Sequence, residues 1–375
     1  MADFIPLCIP YLDDNDTKKV RQCVESTFVS TVGPLVAEFE ERFAEFTGSK
    51  HAVACSSGTA ALHLSLIASG INSQSLVVAP GFSFAASVNP IIYCNATPVL
   101  IDAESQTMNP DFQLIEKAIN ENSISCVIAL HLYGIPAPYI NNLKKLCKSK
   151  RIPLIEDATE SLGATVISEG KHKYAGSFGD FGCFSFNGNK LITSGGGGMV
   201  VTDNVESANF IKHLSTQARM KGFFYEHDHV GYNYRLTNLQ AALGLSQLEK
   251  IDFLLERKKE IAEKYASGFA GVEEILIPTA SENSLSSHWM NTIIFRRKKT
   301  DSIKILKALA NKEIETRPFW KPLFNQKPYV DSLKLENGTS QNLFEQGLCI
   351  PSSAGLKSTD QQRVIDEIKS LFTTH

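Results

Sequence analysis

The sequence predicts an α/β protein: a mainly parallel, seven-stranded sheet between helices, followed by a smaller α+β C-terminal domain. Three observations carry this. Short apolar runs alternate with amphipathic helical stretches through roughly the first 250 residues. Most of the runs are near-continuous Val, Ile, Leu and Ala, as strands buried on both faces require. Near Asn238 the alternation stops, and a long helical stretch is followed by shorter mixed pieces. Such a βαβ rhythm builds a parallel sheet covered by helices on both sides.

Taken in order, Asp13 to Asp16 suit a helix start, being too few ligands for a calcium loop. Pro34 opens a helix whose buried face carries Leu35, Phe39, Phe43 and Phe46, and Gly48 follows where a left-handed residue ends a helix. Strands are expected at HAVAC (51–55), SLVVAP (75–80), TPVLID (97–102), SCVIALHLYG (125–134), IPLIEDA (152–158), GCFSF (182–186) and GMVVTD (198–203), with helices such as 58–69 and 110–120 between them. From Asn238 one helical face continues through Leu248, Ile251, Leu255, Ala262 and Tyr265. Shorter pieces follow, including SSHWMNTIIFRRKK, and a last helix carries Val364, Ile365, Ile368 and Leu371. The expected division is a large domain over 1–250 and a small one over 251–375, with the N-terminal segment packing on the latter.

Bulk properties exclude several function classes. With 37 basic and 40 acidic residues the net charge is -3, so no global field draws in nucleic acid or an anionic membrane. No apolar run reaches the roughly 18 residues of a spanning helix, and the start MADFIPLCIPYLDDND lacks the pattern of a secretory leader. A cytoplasmic protein with small-molecule partners is expected. The eight cysteines show no C-x-x-C pair or zinc spacing and read as reduced core residues.

In parallel sheets ligands gather at the carboxyl ends of strands. After HAVAC, the run Ser56, Ser57, Gly58, Thr59 leads straight into a helix; it would cup a phosphate, or serve as an ordinary N-cap. Asp157 ends an apolar strand, where a buried carboxylate needs a cation or several donors; a helix cap or a structural ion pair would also satisfy it. Lys190 sits in FNGNKLITSGGGGMV between aromatics and four glycines. The spacing is not that of a P-loop, nor does the glycine run open a helix as a dinucleotide-binding turn does. The glycines at 195–198 would instead let the backbone pass close to a bound group. A solvated loop lysine is the plain alternative. A phosphate cup, a carboxylate for a ring cation and an amine able to form a Schiff base together describe pyridoxal 5′-phosphate (PLP).

The motifs SSGTAALHLSL, PGFSFAASVNPI, HLYG, IEDATESLGA, GDFGCFSFNGNK, SGGGGMVVTD, GYNYRLTNLQAALG and TRPFWKPL run over nearly the whole chain. In order and spacing the sequence resembles the sugar aminotransferases of the DegT/StrS type, fold-type I PLP enzymes that aminate nucleotide-linked keto-sugars. The resemblance implies that Lys190 carries the cofactor and Asp157 pairs with its ring nitrogen. It implies that Phe84 stacks on the ring, that Gly58, Thr59 and Ser185 hold the phosphate, and that Glu160 approaches the phenolic oxygen. Asn233 would reach the phosphate in a neighbouring subunit, which implies a homodimer with shared active sites. Arg317, His288 and Trp289 fall where substrate contacts are common. Lysine rather than histidine at 190 argues for transamination over dehydration. L-Glutamate is the implied donor, and carbon 4 of a UDP-linked 4-keto-6-deoxy-N-acetylhexosamine the implied acceptor, for cell-surface glycans. TDP- or GDP-linked 4-keto-6-deoxyhexoses are the alternative acceptors.

Other features read plainly. His227 and His229 are spaced like strand metal ligands but lack a further Cys or His nearby, so no metal is expected. The basic run KKLCKSKR (144–151) closes a helix, where cations suit the dipole. A non-catalytic PLP or nucleotide-sugar-binding regulator would share the phosphate cup without needing the lysine. A nucleotide-phosphate enzyme of P-loop type would bind ATP with magnesium instead.

Overall fold

The computed structural model describes residues 3–296 and 302–373. Its strands in chain order are β1 (His51–Cys55), β2 (Leu76–Pro80), β3 (Thr97–Ile101), β4 (Ile124–Leu130), β5 (Leu154–Asp157), β6 (Thr165–Ser168), β7 (Lys171–Tyr174), β8 (Phe181–Ser185) and β9 (Gly198–Thr202). Six shorter or later strands follow: β10 (Ile275–Leu276), β11 (Ser284–Leu285), β12 (Asn291–Phe295), β13 (Arg317–Pro318), β14 (Leu333–Leu335) and β15 (Gly347–Ile350). The main sheet has eight strands in the order β1-β9-β8-β5-β4-β2-β3-β14. Every neighbouring pair in it is parallel except the two that involve β9.

All seven expected strands lie in this sheet; the eighth, β14, is an addition from the C-terminal part of the chain, seated beside β3. Three residues make too short a run to stand out in a sequence. The turn after it is held by Asp102, whose carboxylate accepts from the backbone N–H groups of Asn337, Gly338 and Ser340 at 2.8–2.9 Å.

One face of the sheet packs Ala61, Leu64 and Leu66 of the helix Gly58–Ala68 onto Val77, Ile128 and Val200. The other packs Ile115, Ile140 and Leu143, from the helices Phe112–Glu121 and Ile140–Lys150, onto Val78, Val99 and Val127. Coverage on both sides explains why the strands are apolar throughout. A second, four-stranded sheet, β10-β12-β15-β13, forms a separate core with the helices Ile251–Gly268 and Ser358–Thr373. Ile5 of the N-terminal segment belongs to that core and pairs with Ile314.

Local expectations at helix ends hold in detail. Asp13 caps the helix Asp14–Glu25 in a capping box with Asp16. Pro34 opens the helix Pro34–Thr47, which ends at Gly48 with φ 70°. All eight cysteines are free. Among the described residues no helix is long and apolar enough to cross a membrane. The single helical stretch expected from Asn238 is two helices, Asn238–Glu249 and Ile251–Gly268, separated at Lys250 with φ -109° and ψ 17°. Neither glycine nor proline marks the break, and Lys250 is held there by Asp13 and Asp16 at 2.5 and 2.7 Å. Of the run SSHWMNTIIFRRKK, residues 297–299 lie outside those described.

The end of β5 is held by a fully buried carboxylate, Glu156. It accepts from the backbone N–H groups of Gly176, Phe178 and Gly179 at 2.9, 2.5 and 2.6 Å, and meets His131 Nε2 at 2.8 Å. Ala137 N–H donates to His131 Nδ1, so the proton resides on Nε2 and is donated to the carboxylate. Burial alone would raise the Glu156 carboxyl; the His131 hydrogen bond and the backbone donors override it and hold it below the ordinary value. Its stabilisation is therefore complete above the unfolded value of about 4.3 and is lost as pH falls through the lower folded value. Glu156→Gln should destabilise the cofactor-free protein at pH 7 by about 2–4 kcal/mol. In urea unfolding the gap from the parent protein should narrow as the pH is taken below about 4.

Candidate active site

The polar residues selected at strand ends converge, because seven strands of the sheet run the same way and so present their carboxyl ends at one edge. A cavity of about 410 Å³ opens there, lined by Ser56–Thr59 after β1, Phe84 and Ser87 after β2, Asp157, Thr159 and Glu160 at the end of β5 and Ser185 at the end of β8. Lys190, Gly196 and Gly197 line it from the loop between β8 and β9, and Trp289, Arg317 and Trp320 close it from the C-terminal part.

At the phosphate-sized end, the Ser57 hydroxyl caps the helix Gly58–Ala68 by accepting from Ala60 N–H at 3.0 Å. The helix start thus presents its first N–H groups and its dipole to the cavity. A side chain at Gly58 would bring its Cβ to 2.9 Å from both Ser185 Cβ and Thr159 Cγ2, so this floor is closed to anything larger. The glycine run works similarly. Gly197 has φ 125°, and a Cβ at Gly198 would lie 2.4 Å from the carbonyl oxygen of Ser57.

Asp157 is buried, with Oδ2 accepting from Ser87 Oγ at 2.6 Å and Oδ1 accepting from Thr159 Oγ1 at 2.7 Å and Thr159 N at 3.2 Å. Two hydroxyls and one amide hold the carboxylate without any cation, leaving it suited to receive one. Lys190 Nζ lies 3.9 Å from Glu160 Oε1 and 3.8 Å from the centre of the Trp289 ring. Burial lowers the Lys190 amine, against the opposing pull of Glu160 and Asp157. Burial likewise raises Glu160 to about 7, against the Lys190 ammonium. Burial thus draws the two groups' proton affinities toward each other, the amine downward and the carboxyl upward.

Of the expected substrate residues, His288 lies elsewhere. His288 does not face Lys190: its backbone is left-handed, φ 51°, and it lines a neighbouring cavity of about 730 Å³ behind Tyr133. The turn in the backbone sends it and Trp289 to different cavities, which sequence adjacency does not reveal. Asn233 is exposed and pairs with Thr216, away from the cavity of its own chain. Arg317 reaches the rim, with Nη2 3.2 Å from Glu315 Oε1. Phe84 stands half-exposed beside Trp320, ring centres 5.1 Å apart.

Several residues that hold the site are not singled out in the sequence. Ser87 and Thr159 fix Asp157, and the Asp-x-Thr spacing of EDAT is the one local cue. Tyr133, also left-handed at φ 52°, donates its N–H to Glu160 Oε2 at 3.1 Å and accepts Trp320 N–H on its hydroxyl. Lys258, fully buried, donates to the carbonyl oxygens of Trp289 and Ser352. Trp289 in turn donates from Nε1 to the Asn189 carbonyl at 2.7 Å. The buried Asn189 Oδ1, also in the cavity wall, has no protein partner.

A sequence profile of the DegT/DnrJ/EryC1/StrS aminotransferase family matches residues 10–369. The chain belongs to this family. Among its relatives, the GDP-perosamine synthase of Vibrio cholerae is 37% identical, the alignment covering 98% of this chain and 99% of that one. The UDP-4-amino-4,6-dideoxy-N-acetyl-beta-L-altrosamine transaminase of Campylobacter jejuni (strain 81-176) is 30% identical, covering 96% of each. Structures of Spr1654 from Streptococcus pneumoniae in PLP and PMP forms superpose with a TM-score of 0.91, at 26% identity and 98% coverage of both chains. The protein is thus a PLP-dependent sugar aminotransferase of fold type I. The cavity fits that cofactor: a helix start with free N–H groups at one end, a buried carboxylate for a ring cation, and a buried amine between them.

In cofactor-free protein, the Glu160 carboxyl stretch should appear in infrared difference spectra as the pH falls through about 7. Lys190→Ala should move that midpoint upward, because the ammonium that favours the carboxylate is gone.

Proposed function

We propose that this DegT-family aminotransferase moves an amino group from L-glutamate to carbon 4 of a nucleotide-linked 4-keto-6-deoxyhexose. The observation that carries the reading is the grouping of Lys190, Glu160 and Asp157 in one cavity beside the helix start at Gly58. PLP, when bound, supplies the electron sink. Asp157 would hold its ring nitrogen, Ser57–Thr59 and Ser185 its phosphate, and Phe84 one face of its ring. Lys190 would carry the cofactor at rest and then hold and move the proton at Nζ, with burial lowering the basicity of the amine. Glu160 would sit beside the phenolic oxygen, placed by the Tyr133 N–H.

Similarity supports a choice of acceptor nucleotide. The relative named for a GDP-linked product is 37% identical and the one named for a UDP-linked sugar 30%. A GDP-linked 4-keto-6-deoxyhexose is therefore the first reading, and the UDP-linked N-acetylhexosamine expected from the motifs is the second. Arg317 and Trp320 at the rim, on the side open to solvent, would meet the sugar. A homodimer with shared sites completes the proposal. Residues 220–230 project Phe223, Phe224, Tyr225 and Val230, each more than 70% exposed, next to Asn233. Apolar side chains so exposed suit burial against a second copy.

The test is incubation with L-glutamate and a panel of GDP-, UDP- and TDP-linked 4-keto-6-deoxy sugars, following 2-oxoglutarate and the mass of the sugar. The GDP-linked ketone should gain an amine. Lys190→Ala should retain the fold and lose at least about 10³-fold in turnover; turnover at the parent rate would overturn the assignment of the lysine.

A further inference from the structure

The loop that follows the helix Val205–Leu214 folds back on it, and in doing so makes a cluster that sequence spacing does not show. His227 and His229 do not act as a pair. His227 turns toward the backbone, its Nδ1 2.7 Å from the Gln217 carbonyl oxygen. His229 turns the other way and, with Asp228, meets His213 from the last turn of the helix. His213 Nε2 lies 2.6 Å and His229 Nδ1 3.2 Å from the same oxygen, Asp228 Oδ1. The three ligand atoms are within 4.8 Å of one another.

The geometry points to a binding site here for a divalent transition cation of the zinc type, held by His213, Asp228 and His229. Two imidazole nitrogens and one carboxylate oxygen converge, a donor set that favours Zn²⁺ over the all-oxygen ligation of Mg²⁺ or Ca²⁺. Zinc bonds such atoms at about 2.0–2.2 Å, so small side-chain rotations bring all three into one coordination sphere. His229 is steadied by an edge-on contact with Phe210, ring centres 5.5 Å apart. Asp228 and His229 are about half exposed, so solvent can fill the remaining position. No residue of the cluster lines the Lys190 cavity.

The cation would act as a clip. It would join residue 213 to residue 228 across a loop whose tip, Phe223 to Tyr225, packs little of its surface. Within the loop, backbone pairs join Arg219 to His227 and Thr216 to Asn233, His227 Nδ1 meets the Gln217 carbonyl, and Arg219 lies 3.9 Å over the Tyr225 ring. Closing the loop at its waist removes conformational freedom from the segment before its tip meets a second copy. The consequence is a metal-dependent ordering of the segment that carries Asn233.

The test is calorimetric titration of the holoenzyme, freed of excess cofactor, with Zn²⁺ alone. One ion per chain should bind with a Kd of about 10 µM or below, and His213→Ala, Asp228→Asn and His229→Ala should each weaken it at least about tenfold. His227→Ala should leave it unchanged. As a second reading, Co²⁺ should give visible absorption that His213→Ala removes, and Zn²⁺ should slow amide hydrogen exchange over 216–227 in the parent but not in His213→Ala. Binding as strong in His213→Ala as in the parent, loss in His227→Ala, or no binding up to about 1 mM would overturn the site.

Discussion

The site depends on one constraint, the placing of two adjacent carboxylates at the end of a buried strand. On a strand successive side chains point to opposite faces, so Glu156 and Asp157 leave β5 in opposite directions. Glu156 gathers three backbone N–H groups and His131, which fixes β5 against the turn at 176–179 and against the HLYG segment. Asp157 is then delivered into the cavity at a set depth, where Ser87 and Thr159 hold its two oxygens. An ionised carboxylate is costly to bury without such donors. Here Glu156 carries enough of them to serve as an anchor for Asp157.

Around that anchor, the C-terminal part is coupled to the site through few but directional contacts. Tyr133 holds Glu160 by its amide and Trp320 by its hydroxyl, so one left-handed residue links the floor of the cavity to its rim. Lys258 holds the carbonyl of Trp289, and Trp289 covers Lys190 while bonding to the residue before it. An ammonium buried among carbonyls is weakly compensated, and its placement makes the position of the Trp289 ring sensitive to the packing of the helix Ile251–Gly268.

Much of this is legible in the sequence. Strands buried on both faces announce themselves as apolar runs, and the residues just beyond them are short, polar and few, so Asp157, Lys190 and the Ser-Ser-Gly-Thr turn stand out. Caps at Asp13, Pro34 and Gly48 are equally local. What is not legible depends on contacts between distant segments or on backbone sign. The role of Glu156 needs knowledge of where 176–179 lies. The helix break at Lys250 follows a tertiary ion pair with Asp13 and Asp16, not a breaker residue. The turning of His288 away from Trp289 reflects one positive φ. The partner that His229 lacks in sequence, His213, sits sixteen residues earlier and reaches it only because the loop doubles back.

The reversed direction of β9 has a geometric consequence. In an all-parallel sheet, the chain leaving the end of β8 would travel the full length of the sheet before the next strand could begin, carrying residues 186–197 away from the cavity. Because β9 runs the other way, it starts where β8 stops. The segment bearing Lys190 is thus a short bridge with both feet planted on the same rim. A flexible amine is thereby confined at both ends of its loop, free to swing within the cavity and unable to leave it.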